Sequence, residues 1–145
     1  MPILHYHLAE GHYSQAQHEK LLLDSARFFA EVLCCPVDRT RVYIQLYRPE
    51  LTAVGGVLVS GSHARAPYFS FVVLEGRSLE DRQRLLAGFT DLVVEILQVE
   101  RSLVRGGIVL VHPENWAIGG VPAAQARQAE VAARAEAAKQ AEGKT

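Results

Sequence analysis

Pro2 has the most unusual chemistry available to any residue of this chain. Removal of Met1 is favoured when the next residue is small, and it leaves proline at the start. The exposed group is then a secondary amine, which no other residue type supplies. A free α-amino group titrates near ~7.7–8.0. An apolar pocket with nearby cations disfavours the ammonium form and lowers that value, so such an amine can act as a general base near neutral pH. The ordinary reading of a proline after Met1 is no function at all. Other reactive residue types are less suggestive. His5 and His7 share one strand face, but no third ligand has a natural position, so no metal is expected. Gly55-Gly56 and Gly119-Gly120 are turns rather than phosphate loops, because no Gly-Lys-Ser/Thr follows them at the spacing a phosphate loop needs. Cys34 and Cys35 are adjacent and bridge only with strain, so they are expected as small apolar side chains at the buried end of a helix, in a reducing cytosol.

The elements that position these residues come in two copies. Pro49-Glu50-Leu51-Thr52-Ala53-Val54-Gly55-Gly56-Val57 matches Pro113-Glu114-Asn115-Trp116-Ala117-Ile118-Gly119-Gly120-Val121 at six of nine positions, with an offset of 64. The same offset pairs Ser14 with Ser78 and Leu21-Leu22 with Leu85-Leu86, and an offset of 65 pairs Glu10-Gly11 with Glu75-Gly76. Each copy reads as strand, helix, strand. Ile3 to Leu8 is a strand, Ser14 with Gln17 a capping box, and Leu21, Leu22, Ala26, Phe29 and Leu33 a helical stripe that Pro36 ends. Val42 to Tyr47 is the second strand, and Gly55 to Ser60 can form a further short one. In the second copy Tyr68 to Leu74 is a strand, Ser78 caps a helix with Asp81 as reciprocal partner, and Leu85, Leu86, Phe89, Leu92, Val93 and Ile96 form its stripe. Ile108 to Val111 closes that unit, and Arg82 and Arg84 read as a solvated helix face with Glu80 and Asp81.

Each short β-α-β unit gives a parallel strand pair crossed by one helix. The expected fold is therefore α+β: tandem β-α-β units, 2–60 and 67–122, forming a four-stranded sheet with two helices on one face in a single domain of residues 1–122. The bare sheet face needs cover, which predicts a symmetric oligomer. Residues 123–145, rich in Ala, Glu, Arg and Gln, are expected as an exposed or frayed helical tail with Glu130–Arg134 as a supporting pair.

The whole chain has 145 residues, 49% hydrophobic and 21% charged, with 15 Lys+Arg against 16 Asp+Glu and a net charge of -1. That composition disfavours a disordered chain, a disulfide scaffold and a long basic arm, and no nucleic-acid partner is expected. No apolar stretch approaches the ~20 residues of a membrane helix, and no secretory signal is visible. A cytoplasmic location with no membrane partner is expected.

Pro2 to Gly11 resembles the amino-terminal strand of 4-oxalocrotonate tautomerase and its relatives. Val73-Leu74-Glu75-Gly76-Arg77-Ser78 resembles that family's Leu-Glu-Gly-Arg-Ser motif, and Trp116-Ala117-Ile118-Gly119-Gly120 its Phe-Gly-Ile-Gly-Gly turn. The resemblance covers about residues 2–122. A double-length chain of this kind is similar to the cis-3-chloroacrylic acid dehalogenase and malonate semialdehyde decarboxylase branches of the tautomerase superfamily. It implies a homotrimer, a small carboxylate substrate, no cofactor, and Pro2 as the catalytic base. Pro67 holds the equivalent place in the second copy, but its nitrogen is an amide. By the same resemblance Arg77 binds a substrate carboxylate, where the first copy has His12. Arg41 matches a second substrate arginine. Its counterpart is Arg105 at an offset of 64, or Leu103 at an offset of 62, which pairs Val37-Asp38-Arg39-Thr40 with Val99-Glu100-Arg101-Ser102 and leaves Gly106-Gly107 as a bulge. Trp116 takes the place of a pocket phenylalanine, and Thr52 takes it in the first copy.

Departures from the branch patterns narrow the chemistry. Arg27 stands near a helix histidine of the dehalogenases, Leu74 replaces a second arginine, and Val111 and Val121-Pro122 fall where an activating tyrosine and glutamate would be. Asp38 lies near an aspartate of the decarboxylases. What remains is an amine, one or two arginines and an aromatic wall, which suffices for keto–enol proton transfer on a small 2-oxo or enol acid. The alternatives are a decarboxylase, or hydratase or dehalogenase, of a three-carbon acid, and a non-catalytic trimeric binding protein.

Overall fold

The computed structural model describes residues 2–143, and side chains for all of these except 127, 129–131, 133–135 and 138. Met1 and the side chains of the expected Glu130–Arg134 pair lie outside the described set.

Alternation builds the first strand. In β1 (Ile3–Ala9), Leu4, Tyr6 and Leu8 are buried while His5 points the opposite way. Helix α1 (Gln15–Leu33) starts with a complete capping box, Ser14 accepting from the Gln17 N–H and the Gln17 side chain accepting from the Ser14 N–H. It stops at Cys34, which is left-handed (φ 52°) and donates its N–H back to the Ala30 and Glu31 carbonyls. This corrects the expectation for the cysteines. Val32 and Leu33 are the buried end of the helix, whereas Cys34 is exposed and Cys35 half-buried beyond it.

The chain continues through β2 (Arg41–Tyr47) into a hairpin of β3 (Ala53–Val54) and β4 (Val57–Leu58), then one helical turn, α2 (Val59–Ser62). Gly55 and Gly56 both have positive φ (61° and 77°), the backbone of a two-residue hairpin turn that splits the single strand expected across Gly55–Ser60. The second copy runs β5 (Tyr68–Leu74), α3 (Leu79–Leu97), β6 (Arg105–Val111), a hairpin of β7 (Ala117–Ile118) and β8 (Val121–Pro122), and α4 (Ala123–Glu142). Ser78 accepts from the Asp81 N–H, but the return half of the expected capping box is not made.

The main sheet has the order β2-β1-β5-β6. β1 and β2 are parallel, as are β5 and β6, while β1 and β5 are antiparallel with Ile3 opposite Val72 and His7 opposite Tyr68. Helices α1 and α3 cover one face. Phe29, Phe71 and Phe89 meet edge-to-face at the centre, with ring centroids 5.1–5.8 Å apart. Ser25 is a buried polar residue in this core, and its hydroxyl is 2.6 Å from the Tyr6 hydroxyl, so each satisfies the other. Burial pushes the Tyr6 phenol far above its ordinary pKa and keeps it neutral.

Two further corrections concern β6 and α3. Gly106 and Gly107 are not a bulge: they pair in register with Phe69 and Ser70, and β6 begins at Arg105 rather than Ile108. The Phe69 ring lies where a Gly106 side chain would be, its Cζ 2.1 Å from an ideal Cβ there. Arg84 is exposed, as a solvated face requires, and lies 3.7 Å from Glu31 of α1, whereas Arg82 departs from that expectation: it is half-buried with its Nε shielded.

The opposite sheet face is bare. His5, His7, Tyr43, Tyr47 and Tyr68 share it, with Tyr43 47% and Tyr68 45% exposed. His7 stacks on Tyr68 (centroids 5.1 Å), and its Nδ1 is 2.7 Å from the Tyr47 hydroxyl. Burial, then the neighbouring His5, lowers the His7 pKa from its ordinary 6.5.

This packing has two measurable consequences. Gly106→Ala must displace a ring that is itself 1% exposed, so it should cost about 1–3 kcal/mol in urea unfolding, whereas Gly107→Ala, with open space around its Cβ, should stay within about 0.5 kcal/mol. Equal effects would contradict the assigned role of Phe69. The depressed His7 pKa also carries a sign. The unfolded chain binds more protons below pH 6.5, so this contribution is full above 6.5 and is lost as pH falls through the folded value. His7→Gln should therefore flatten the loss of stability between pH 8 and pH 5, measured by urea unfolding at each pH.

Candidate active site

The antiparallel β1–β5 pairing divides the sheet into two chemically different ends. At one end lie the starts of β1 and β2 and the finishes of β5 and β6. Pro2 is buried there, and its carbonyl accepts the Arg41 N–H at 3.0 Å. Arg41 opens β2 directly opposite Ile3, with an exposed side chain. The Glu75-Gly76-Arg77 loop leaves β5 at this same end, held by a 2.9 Å bond from the Glu75 N–H to the Val111 carbonyl. Trp116 comes after β6 here, in the turn before β7. The structure thus brings Pro2, Arg41, Arg77 and Trp116 to one end of the sheet, with two of the four from each copy.

Arg77 is half-buried and donates from Nη1 to the Leu33 carbonyl at 3.0 Å. This uses one of the five guanidinium donors and satisfies a last-turn carbonyl of α1. The first copy makes a related link with Gln17, whose side-chain amide donates to the Ile96 carbonyl of α3 at 3.0 Å. Each copy therefore caps the other's helix, and Arg77 stays fixed with donors to spare. Trp116 is half-buried, and its indole Nε1 is shielded without a hydrogen-bond partner among the described residues. A shielded donor left unpaired is costly, so this N–H is well placed to meet an acceptor oxygen. Asp38 is exposed in the 3₁₀ turn between α1 and β2, and Arg27 is exposed and bound to Asp24 at 3.3 Å.

Arg105 is not part of this end. It opens β6 as Arg41 opens β2, and its N–H bonds to the Pro67 carbonyl at 3.1 Å just as Arg41 bonds to Pro2. The counterpart of Arg41 is therefore Arg105, and Leu103 sits in the preceding 3₁₀ turn, which aligns with Val37–Arg39. Within this chain Arg105 stands at the far end of the sheet from Pro2. Its guanidinium folds back onto the Ser102 and Val104 carbonyls.

The far end has its own cavity, of about 410 Å³, which sequence reasoning missed. Tyr13, Tyr47, Thr52, Pro67 and Tyr68 line it, together with small residues of the inter-copy linker. Thr52 and Trp116 are structural equivalents, since Thr52 O accepts the Val59 N–H (2.9 Å) as Trp116 O accepts the Ala123 N–H (2.7 Å). The unequal loops were the available signal: five residues, Glu10 to Ser14, join β1 to α1, against four, Glu75 to Ser78, between β5 and α3. The extra residue brings Tyr13 into the cavity wall. His12, in the place of Arg77, has a pKa lowered by burial and by Arg65 and His63, and so gives no fixed cation there.

Among the described residues no group of three or more His, Cys, Asp or Glu is arranged to hold a metal, and no helix is long and apolar enough to cross a membrane.

Known proteins echo this architecture. Residues 67–126 match a family model described as Tautomerase enzyme. No curated protein matches the sequence significantly. Solved structures similar in fold include native fused 4-OT (TM-score 0.79, 19% identity, covering 85% of this chain and 97% of that one). Pt0534 inactivated by 2-oxo-3-pentynoate is similar as well (TM-score 0.78, 21% identity, 85% and 97% covered). So is the symmetric trimer of W0 wild-type fused 4-OT (TM-score 0.76, 23% identity, 84% and 98% covered). The chain has the tautomerase fold in its fused, double-length form, and its second copy carries the family's sequence pattern.

Proposed function

We propose that this chain is a homotrimeric, cytoplasmic tautomerase that moves a proton between oxygen and carbon of a small 2-oxo or enol carboxylic acid. The observation that carries this reading is the shared sheet end of Pro2, Arg77, Arg41 and Trp116. With Met1 removed, the Pro2 nitrogen takes the enol hydroxyl proton, and a proton is delivered from the resulting ammonium to the neighbouring carbon, leaving the ketone. Arg77, already fixed by the Leu33 carbonyl, holds the substrate carboxylate through its remaining donors. Arg41 stabilises the enolate charge that develops during transfer. Trp116 walls the site and offers its unpaired N–H to a substrate oxygen.

Relatives in fold support both parts of the reading. Pt0534 is inactivated by a 2-oxo acid, and W0 fused 4-OT is a symmetric trimer. The bare sheet face of this chain is the surface that a trimer would cover. Arg105 then belongs to the face or end of a neighbouring subunit, as a further candidate substrate contact. With one amine per chain, a trimer has three sites.

The intact mass should lack Met1; a retained methionine makes the Pro2 nitrogen an amide and ends every amine mechanism. Ketonisation of phenylenolpyruvate or 2-hydroxymuconate should fall at least tenfold in Pro2→Ala, because a positioned base contributes ~10²–10⁴. Arg77→Ala should act mainly by raising KM. Product analysis with malonate semialdehyde separates this activity from decarboxylation, and sedimentation should give three chains of 16.0 kDa.

A further inference from the structure

The cavity at the Pro67 end cannot repeat the chemistry proposed for Pro2. Its proline nitrogen is an internal amide, His12 replaces the arginine, and Thr52 replaces the tryptophan. Nevertheless it is well formed. Its volume of about 410 Å³ lies within the range of ~300–1,000 Å³ typical of small-molecule sites. Three features created it. Thr52 removes the bulk that Trp116 has at the equivalent position. α2 ends after one turn at His63, where φ is 55°, so it has none of the length of α4. The linker then returns across the opening with Ala64 and Ala66, both too small to fill it.

The lining has a definite chemical character. Tyr13, Tyr47 and Tyr68 give it aromatic walls, and Pro67 and Val59 add apolar surface. The Tyr47 hydroxyl is already occupied by His7. Arg65 stands between the lining residues Ala64 and Ala66, and its guanidinium carbon lies 5.5 Å from the centre of the Tyr13 ring. No carboxylate among the described residues pairs with Arg65. Flat aromatic walls favour a planar ring, which stacks at low entropic cost. A guanidinium beside the Tyr13 wall, with no carboxylate partner among the described residues, favours one carboxylate, bound through its planar fork.

We propose that this cavity, which shares Tyr47 and Tyr68 with the bare sheet face, is a second, non-catalytic binding site for a small aromatic monocarboxylate, with the ring against the Tyr13 wall and the carboxylate at Arg65. The site lies beyond the proposed tautomerase centre and stands whether or not that activity is found.

Benzoate is the probe, titrated calorimetrically into the full chain. Binding should weaken at least fivefold in Arg65→Gln and be lost in Thr52→Phe, which fills the cavity. It should persist in Arg77→Ala, which alters only the Pro2 end. Acetate, without a ring, and benzyl alcohol, without a charge, should each bind at least tenfold more weakly than benzoate. The single tryptophan, Trp116, stands at the Pro2 end, so its emission should not change as the benzoate site of wild type fills. A thermal midpoint within about 3 °C of wild type keeps Thr52→Phe interpretable, and Arg65→Gln, an exposed substitution, remains a test by itself. Absence of benzoate binding, binding unaffected by Arg65→Gln, or binding lost in Arg77→Ala with quenched Trp116 emission would overturn the proposal.

Discussion

The antiparallel seam between β1 and β5 governs everything else in this molecule. Within each copy the two strands are parallel and the connection runs over the sheet, so a copy alone would keep its amino-terminal strand end away from its own loop after β1 or β5. The seam reverses one copy against the other. The start of each copy therefore meets the finish of its partner, with Ile3 opposite Val72 and Tyr68 opposite His7. Pro2 is joined by Arg77 and Trp116 from the second copy, and Pro67 by Tyr13 and Thr52 from the first. Backbone pairing, which is indifferent to side-chain identity, assembles both ends by the same rule.

What differs between the ends comes from connectivity. A chain has one amino terminus, so only one of two equivalent prolines can ever be an amine. Release of the second end from that requirement is visible in several independent changes: an inserted residue before α1, threonine for tryptophan, histidine for arginine, and a one-turn α2 in place of the long α4. Three of these changes remove charge or bulk from the Pro67 end and leave space, while the inserted residue adds Tyr13 to the wall. At the Pro2 end the corresponding groups are larger and fixed. Arg77 is locked to the α1 carbonyl, and Ala123 begins α4 with a completely buried side chain.

Much of this was legible in the sequence where local rules and packing agree. Phe69, Phe71 and Val73 alternate inward, and the strand spans Tyr68–Leu74 as its pattern says. Ser14 and Gln17 form the capping box that their spacing requires. The readings that failed involve partners distant in sequence. Gly106 looks like a break in a strand, yet its missing side chain is supplied by Phe69 across the ladder. Local similarity of Val37-Asp38-Arg39 to Val99-Glu100-Arg101 suggested an offset of 62, but both helices end 64 residues apart in left-handed residues, Cys34 and Gln98, and helix length sets the register of the next strand. Pro36 correctly signalled a helix end, though the turn came two residues earlier and left Cys34 outside. The Pro67 cavity left only the unequal loop lengths as a trace in the sequence, because absence of bulk has no motif. Thr52 and Ala64 signal an opening only once the hairpin and linker are folded together.

The bare sheet face links these ends to assembly. On this face His5 packs against Tyr43, and His7 against Tyr47 and Tyr68. Tyrosine and histidine suit an interface that must be apolar in its body and hydrogen-bonded at its tips. The His7–Tyr47 bond already satisfies one such tip within the chain, so covering the face need not strand it. The same strand that begins with the proposed catalytic amine thus carries the two histidines of the bare face, His5 and His7. Site and assembly are coupled through β1, because its even residues fill the core while its odd residues face the next subunit of the proposed trimer.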